Sequence, residues 1–338
     1  MKTQKSSLEF YHFPVMLSEV LKVSSPDKGG LFIDCTFGAG GYSKAILKFP
    51  NTKVIGIDRD KTVVPLAKSF ENKFQNRFEF LNLKFSELDK LSENNNFADN
   101  IIFDLGLSSI QLNNLKRGFS FKSKEKLDMK MGLSDISAQD VVNKLSETKL
   151  KLIIKTLGEE KEASKIAKNI VLARAEKKIT KVDQLVRIIE KSKKKNYSVK
   201  IDPSTKTFQA LRIFVNKEIT ELINGIIKAT KLLKPGGKIL VISFHSIEDK
   251  IVKYFFNNFS SNKSKPSRYF PEDNNENLIL FEKYSNKIIT ASESEIKKNK
   301  PSRSAKLRFA VRNKNEFFFT DNLLKKFKKY TDIEAINV

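Results

Sequence analysis

A mainly parallel α/β sheet carrying an all-helical insertion is the fold class that three observations in the sequence predict. From Gly30 to Asp104, short apolar runs alternate with helical stretches, which implies parallel strands with helices on both faces. Across 116–211 the alternation stops, and helical signals occur there without a convincing strand. From Asn216 it resumes, with a long helical stretch leading into a buried run at Lys238–Phe244.

Each element has its own warrant. Leu31–Asp34 is a short apolar run that ends in the Gly-rich loop Phe37-Gly38-Ala39-Gly40-Gly41, followed by helix to Lys48. Val54–Ile57 is a second buried strand, ended by Asp58-Arg59-Asp60. Thr62–Lys73 reads as a helix, Phe78–Leu81 as a third strand and Ser86–Ser92 as a short helix. Ile101–Phe103 is the fourth strand, closing on Asp104-Leu105-Gly106. In the insertion, Ser137-x-x-Asp140 and Thr180-x-x-Asp183 have the spacing of capping boxes. Ala163, Ile166, Ala167 and Ile170 recur at helical spacing, Gly158 is a helix stop, and Lys191–Lys195 is a solvated charge run. Asn216–Leu233 reads as one amphipathic helix, Lys234-Pro235-Gly236-Gly237 as a sharp turn, and Ser246-x-x-Asp249 as a cap. The stretch 257–277 is a polar loop, Leu278–Thr290 and Lys306–Arg312 are late strands, and a basic amphipathic segment starts at Leu323. The expected division is a discontinuous sheet domain, 1–115 with 212–338, around a helical insertion, 116–211.

Composition narrows the function. The 338 residues carry a net charge of +24 with one cysteine and two histidines. That excludes an intrachain disulfide framework, a multi-Cys zinc site and a His-rich metal centre, so no metal is expected. No run approaches the ~18 apolar residues of a membrane span, and no signal-peptide core is visible, so a cytoplasmic protein without a membrane partner is expected. Lys supplies 53 of the 63 basic residues, a bias that an AT-rich codon supply also produces. Distribution is therefore more telling than the total. Residues 116–211 hold 24 Lys/Arg against 12 Asp/Glu, and residues 297–338 hold 12 against 4. Clustered positive charge is the footprint of a nucleic-acid partner. A membrane surface competes, but no strongly apolar face accompanies the Lys runs.

Three strand ends carry the chemistry. Glycines after the first strand let a ligand lie on the backbone, but Gly38-x-Gly40-Gly41-Tyr42-Ser43 lacks the third glycine of a dinucleotide loop. A nucleoside cofactor without a pyrophosphate fits better; a tight structural turn is the bland alternative. Asp58, 24 residues after Asp34, is placed to accept from ribose hydroxyls, against the alternative of an N-cap or an ion pair with Arg59. Asp104 ends the fourth strand. Ligands of open α/β sheets bind outside the carboxyl ends of the strands, so 34–41, 58 and 104–106 converge on one crevice.

In order, these pieces resemble the class I S-adenosylmethionine-dependent methyltransferases and, more narrowly, the bacterial 16S rRNA cytosine-N4 methyltransferases. The resemblance runs from Tyr11-His12-Phe13-Pro14 through the Asp34–Gly41 loop, Gly56-Ile57-Asp58, Asp104–Gln111, Arg117–Phe121 and Leu127–Met131. It continues with Gly158–Glu160, Thr207–Arg212, Ser243–Asp249 and Arg303–Arg308. It implies a Rossmann-like methyltransferase sheet with an inserted helical domain for RNA recognition. It also implies S-adenosyl-L-methionine as cofactor and a decoding-centre cytosine of the small ribosomal subunit as substrate. Cofactor positions carried over are Gly40, Gly41, Tyr42, Asp58, Phe85, Asp104 and Gln111. Tyr42 stands where the family usually has His, and Lys126 where it usually has Pro. A homodimer is the self-association to consider.

Methylation of cytosine N4 needs an acceptor for the amine proton, because the lone pair of N4 is delocalised into the ring. The base must also be extruded into a pocket, against an aromatic ring. DNA amino-methyltransferases use Asn/Asp/Ser-Pro-Pro-Tyr/Phe after the fourth strand, and here that place reads Asp104-Leu-Gly-Leu. Asp104 is the candidate acceptor by position. His245 reads as a strand-end structural residue, His12 as a crevice or packing residue, and Asp128 and Arg117 as RNA or pocket contacts. The 116–211 insertion and Arg303–Arg312 are expected to contact phosphates. Cys35 sits in the cofactor loop as a small apolar residue, which argues against covalent attack at pyrimidine C5. The competing functions are a DNA amino-methyltransferase and a non-enzymatic ribosome-assembly factor on a methyltransferase scaffold.

Overall fold

A computed structural model describes residues 14–91, 96–193, 202–260, 279–318 and 321–338. Eight strands form one sheet: β1 (Gly30–Asp34), β2 (Thr52–Ile57), β3 (Phe78–Leu81), β4 (Ala98–Asp104), β5 (Leu233–Ser243), β6 (Phe281–Tyr284), β7 (Ile289–Thr290) and β8 (Lys306–Arg312). Their order is β3-β2-β1-β4-β5-β8-β6, with β7 also pairing β8. The first five strands are mutually parallel, and β8 runs antiparallel to β5 and β6.

Strand residues alternate between two buried layers, as the two-residue period of a pleated strand requires. Ile33, Ile101, Phe103 and Val241 enter one apolar cluster, while Phe32, Val54, Ile102 and Leu240 enter the other. The second layer is covered by α1 (Leu17–Ser24), α2 (Gly41–Ile46) and α3 (Val64–Lys73). A short α4 (Ser109–Asn113) follows β4, and then come α5 (Ala138–Lys144), α6 (Glu147–Leu157), α7 (Ala163–Glu176), α8 (Val182–Ser192) and α9 (Thr205–Asn216). Leu150, Ile153, Ile166, Ile170, Leu185 and Leu211 of these helices belong to the same cluster as Ile33 and Phe103. The helical segment therefore continues the core of one sheet face. The fold is completed by α10 (Glu218–Leu232), α11 (Ser246–Asn258), α12 (Glu293–Lys298) and α13 (Asn322–Glu334). Among the described residues no helix is long and apolar enough to cross a membrane.

The expected helix at 216–233 is α10, which starts two residues later at Glu218, with Asn216 the last residue of α9. Lys217 adopts a left-handed φ of 51°, which ends α9 at Asn216 and starts α10 at Glu218. Asn216 is stapled: its Nδ2 donates to Met129 O at 2.8 Å, and its Oδ1 accepts from Met131 N and Ser134 Oγ at 2.7 Å each. The amides that open α10 are met by the Glu334 carboxylate, which accepts from Ile219 N at 2.9 Å and Thr220 N at 2.8 Å. Lys234–Gly237 is a bulge within β5, where pairing steps from Ala98–Leu233 to Asn100–Lys238. Two expected caps shift by one residue: at α8 the N-cap position is Lys181, whose amide donates to Gln184 Oε1 at 3.0 Å, and α11 is capped at His245 with Glu248. Ser137–Asp140 caps α5 as its spacing predicts, and Gly158 closes α6. The segment at Phe85–Leu91 is a 3-10 helix. Most of the polar loop at 257–277, and Lys194 and Lys195, lie outside the described residues.

Gly132 marks the tightest join between the helical segment and the sheet. Its φ is +74°, and a Cβ there would lie 2.3 Å from Arg59 O. Gly132→Ala is expected to cost ~2 kcal/mol or more from left-handed strain and overpacking, read as a lower urea midpoint at unchanged slope.

Candidate active site

The parallel register delivers three acids to one edge. Asp34 pairs with Gly56 and Ile102, and Asp104 with Ile242, so the loops after β1, β2, β4 and β5 leave side by side. Those loops interlock. Phe37 N donates to Ile57 O at 2.9 Å, and Asp104 N donates to Thr36 Oγ1 at 2.9 Å. Asp58 accepts from Gly38 N through Oδ2 and from Asp60 N through Oδ1, both at 2.8 Å. Asn82 Nδ2 donates to Asp58 O at 2.7 Å and brings the β3 loop onto β2. The β1 loop lies on an aromatic bed, with the Phe37 ring 5.3 Å from Phe70 and 5.4 Å from Phe78 and Phe80.

The electrostatics of this edge are one-sided. Asp34 is fully buried; burial pushes its pKa up to about 6, against the hydrogen bonds it accepts from Ser43 Oγ at 2.7 Å and from Thr36 N. Burial likewise pushes Asp58 up to about 6, opposed by the Asp60 and Gly38 amides. Asp104 is pushed up to about 8, first by burial and then by the neighbouring Asp34. Its Oδ1 is buried without a hydrogen-bond partner. Tyr42 is buried beside it, with its hydroxyl donating to Val15 O and lying 3.3 Å from Asp104 Oδ2. One phenolic proton cannot serve both acceptors, so a protonated Asp104 completes the second contact as donor. No ion pair is formed by Asp34, Asp58 or Asp104 among the described residues.

The other expected residues are placed as follows. Gly40 and Gly41 line the β1 loop, but packing alone forbids a side chain at either: a Cβ would meet Phe70 Cζ at 2.5 Å or Pro14 Cγ at 2.9 Å. Gly38 and Gly106 have more open surroundings, with nothing closer to a Cβ than 3.5 Å and 3.7 Å. Phe85 packs edge-on against Phe103, 5.1 Å between centroids. Gln111 is buried and already committed: Nε2 donates to Asp60 Oδ2 at 2.8 Å, and Oε1 accepts from Ser108 N at 3.1 Å. Asp58 does not pair with Arg59, which instead donates to Asn216 O at 2.8 Å. The local cap is Asp60, which accepts from Thr62 N at 3.1 Å. Cys35 is buried in the core. His12 lies outside the described residues.

Several expected RNA contacts turn inward. Arg117 donates to Asp60 Oδ2 and to Lys130 O, tying the β4 loop to the β2 loop. Arg308 is buried against Asp249 at 2.7 Å, and buried Arg312 donates to Leu280 O and Asn315 O. Asp128 keeps a partly exposed carboxylate 3.8 Å from Lys130 Nζ. The sequence pattern did not single out Glu218 or Glu248, which meet His245 with ligand atoms all within 4.8 Å of one another. Arg212 already places a cation there, donating to both Glu218 oxygens at 2.9 Å. The signal was present in Thr207–Arg212 and Ser243–Asp249, two motifs distant in sequence that the fold brings together.

A parallel sheet with an antiparallel strand set between its fifth and sixth members, and acids at its carboxyl edge, defines a Rossmann-like class I methyltransferase. The chain belongs to the MraW methylase family, whose model matches residues 9–313. It is 43% identical over 305 residues to ribosomal RNA small subunit methyltransferase H of Maricaulis maris, covering 89% of this chain and 91% of that one. It is 44% identical to the protein of the same name from Ehrlichia ruminantium, covering 88% and 98%. Among solved structures, an rRNA methylase from Streptococcus thermophilus is 10% identical with a TM-score of 0.38, covering 93% and 100%.

Asp34, Asp58 and Asp104 each bind a proton more tightly in the folded chain than in the unfolded one. Stability of the ligand-free protein is therefore expected to fall as pH rises from about 4 to about 8. Asp104→Asn should flatten the part of that slope between about 6 and 8 in a pH series of thermal melts.

Proposed function

We propose that this protein transfers a methyl group from S-adenosylmethionine to the N4 amino group of a decoding-centre cytosine in 16S rRNA. The observation that carries this reading is the buried, unpartnered Oδ1 of Asp104 at the end of β4, on an edge where Asp34, Asp58 and Asp104 form no ion pair among the described residues. S-adenosylmethionine, when bound, supplies an electrophilic methyl group on a cationic sulfur. The residues present fit such a molecule. Each Asp58 oxygen accepts one backbone amide and keeps capacity for a ribose hydroxyl. Asp34 and Asp104 offer negative charge for a cation to neutralise.

The work of the chain's own residues follows from that charge. A cation near Asp104 favours its ionised form and lowers its pKa from about 8. The carboxylate then accepts the N4 proton as the amine loses electron density to the new bond. The Asp104 amide, donating to Thr36 Oγ1, fixes the backbone that carries this carboxylate, and the buried Tyr42 ring packs beside it. The names of the relatives support ribosomal RNA of the small subunit as substrate. The missing Pro-Pro-aromatic motif after β4 speaks against a DNA amino-methyltransferase. We assign phosphate binding to the exposed lysines of the 116–211 insertion.

Mass spectrometry of 16S rRNA nucleosides from cells with and without the gene tests the reading. Loss of N4-methylated cytidine is expected, and an unchanged profile sinks it. In calorimetry, Asp58→Ala should weaken S-adenosylmethionine binding by roughly 10- to 100-fold, the value of one or two charge-assisted hydrogen bonds.

A further inference from the structure

We propose that Phe244 is the ring on which the extruded cytosine stacks, supplied from the end of β5 where DNA amino-methyltransferases supply one directly after the β4 acid. This rests on the N4-methylation reading above. The chain needs such a ring, and the Asp104-Leu105-Gly106-Leu107 loop contains none.

Geometry selects Phe244 from the aromatics around Asp104. Asp104 pairs with Ile242, so Phe244 stands two residues further along the neighbouring strand, level with Gly106. A Cβ built on Gly106 would have one heavy-atom neighbour within 4 Å, Phe244 Cδ2 at 3.7 Å. The backbone beside Asp104 thus opens on a space bounded by this ring. Phe244 is half-buried, whereas Phe103 is 0% and Tyr42 3% exposed, so neither of those offers a face to a base.

The backbone that carries the ring is also pinned, which a stacking platform requires. Phe244 N donates to Glu248 Oε2 at 2.8 Å, and His245 N reaches the same oxygen at 3.3 Å. Glu248 is buried, and burial alone would raise its pKa. His245 and Arg212 outweigh that and hold the carboxylate below its usual range, so it stays ionised as a backbone acceptor. Arg212 comes from α9, and Glu159 of the same helical segment accepts from Ser246 Oγ and from Lys250 Nζ. The 244–246 loop is therefore clasped from the segment assigned to RNA, which couples placement of the ring to the RNA side of the molecule.

Stacking and mere packing are separated by three variants, Phe244→Tyr, Phe244→Leu and Phe244→Ala. Each is assayed for S-adenosylmethionine affinity by calorimetry, thermal stability, and methyl transfer to 16S rRNA in small subunits. Leu keeps apolar bulk without a π face. Phe244→Leu and Phe244→Ala are expected to lower kcat/KM for RNA by roughly 10- to 100-fold, the usual loss of one base–aromatic stack. Phe244→Tyr should stay within about threefold of wild type, and cofactor affinity should be unchanged in Tyr and Leu. Leu matching Tyr, or all loss following a drop in stability or cofactor affinity, overturns the assignment while leaving N4 methylation standing. A wild-type protein that methylates no cytosine N4 overturns both.

Discussion

Burial of like charge at one edge of a parallel sheet is the constraint on which the rest of this structure depends. Parallel strands end together, so acids that end β1 and β4 cannot avoid one another. Asp34 is buried and Asp104 has a buried carboxylate oxygen; loss of solvation raises the proton affinity of both, and Asp34 raises that of Asp104 further. A fold optimised only for stability would replace one of them by an apolar residue. Their presence in a core this well packed is the kind of cost that the proposed binding of a cationic cofactor at this edge would offset.

Everything around that edge works to keep it from relaxing. The Gly-rich loop cannot lift because Phe37 is seated among Phe70, Phe78 and Phe80. The β2 loop cannot swing because Asp60 is held by Gln111 and Arg117 from beyond β4. The β5 loop is pinned by Glu248, and through Arg212 and Glu159 it belongs as much to the helical segment as to the sheet. One apolar cluster runs through both parts. Removing the helical segment would expose that core, so the RNA binding proposed for it is testable by surface charge changes and not by deletion.

What the sequence made legible, and what it hid, divides along range of interaction. The strands were readable because buried parallel strands are short apolar runs whatever surrounds them. Asp34, Asp58 and Asp104 were readable because a strand end is a local event. The start of α10 was read to within two residues, but the staple that fixes it was not, since Asn216 bonds to Met129 and Met131, more than eighty residues away. The α11 cap moved from Ser246 to His245 because Glu248, not Asp249, faces back toward Phe244 N. Counting charge along the chain placed Arg308 and Arg312 on an RNA surface, yet both donate to interior acceptors, and Arg117, read as an RNA or pocket contact, donates to Asp60. Arginine suits that use because its planar fork satisfies several acceptors at once, whereas lysine stays solvated. The lysines thus carry more of the external charge than a simple count implies.

That sorting has a functional consequence. The chain is strongly basic overall while, among the described residues, Asp34, Asp58 and Asp104 at the crevice form no ion pair, so charge of opposite sign lies at two depths. In physiological salt the Debye length is about 8 Å, so exposed lysines act on phosphates close to the surface and are screened from more distant charges. Buried groups are screened far less, so the charge of Asp34, and of Asp104 once a cation favours its ionised form, acts strongly inside the crevice. A polyanion is drawn to the outside and a small cation to the inside, and neither competes for the other's place. An enzyme that must bring a cationic donor and a polyanionic acceptor to one atom needs such a separation, and here it arises from which basic residues are lysine and where the parallel strands end.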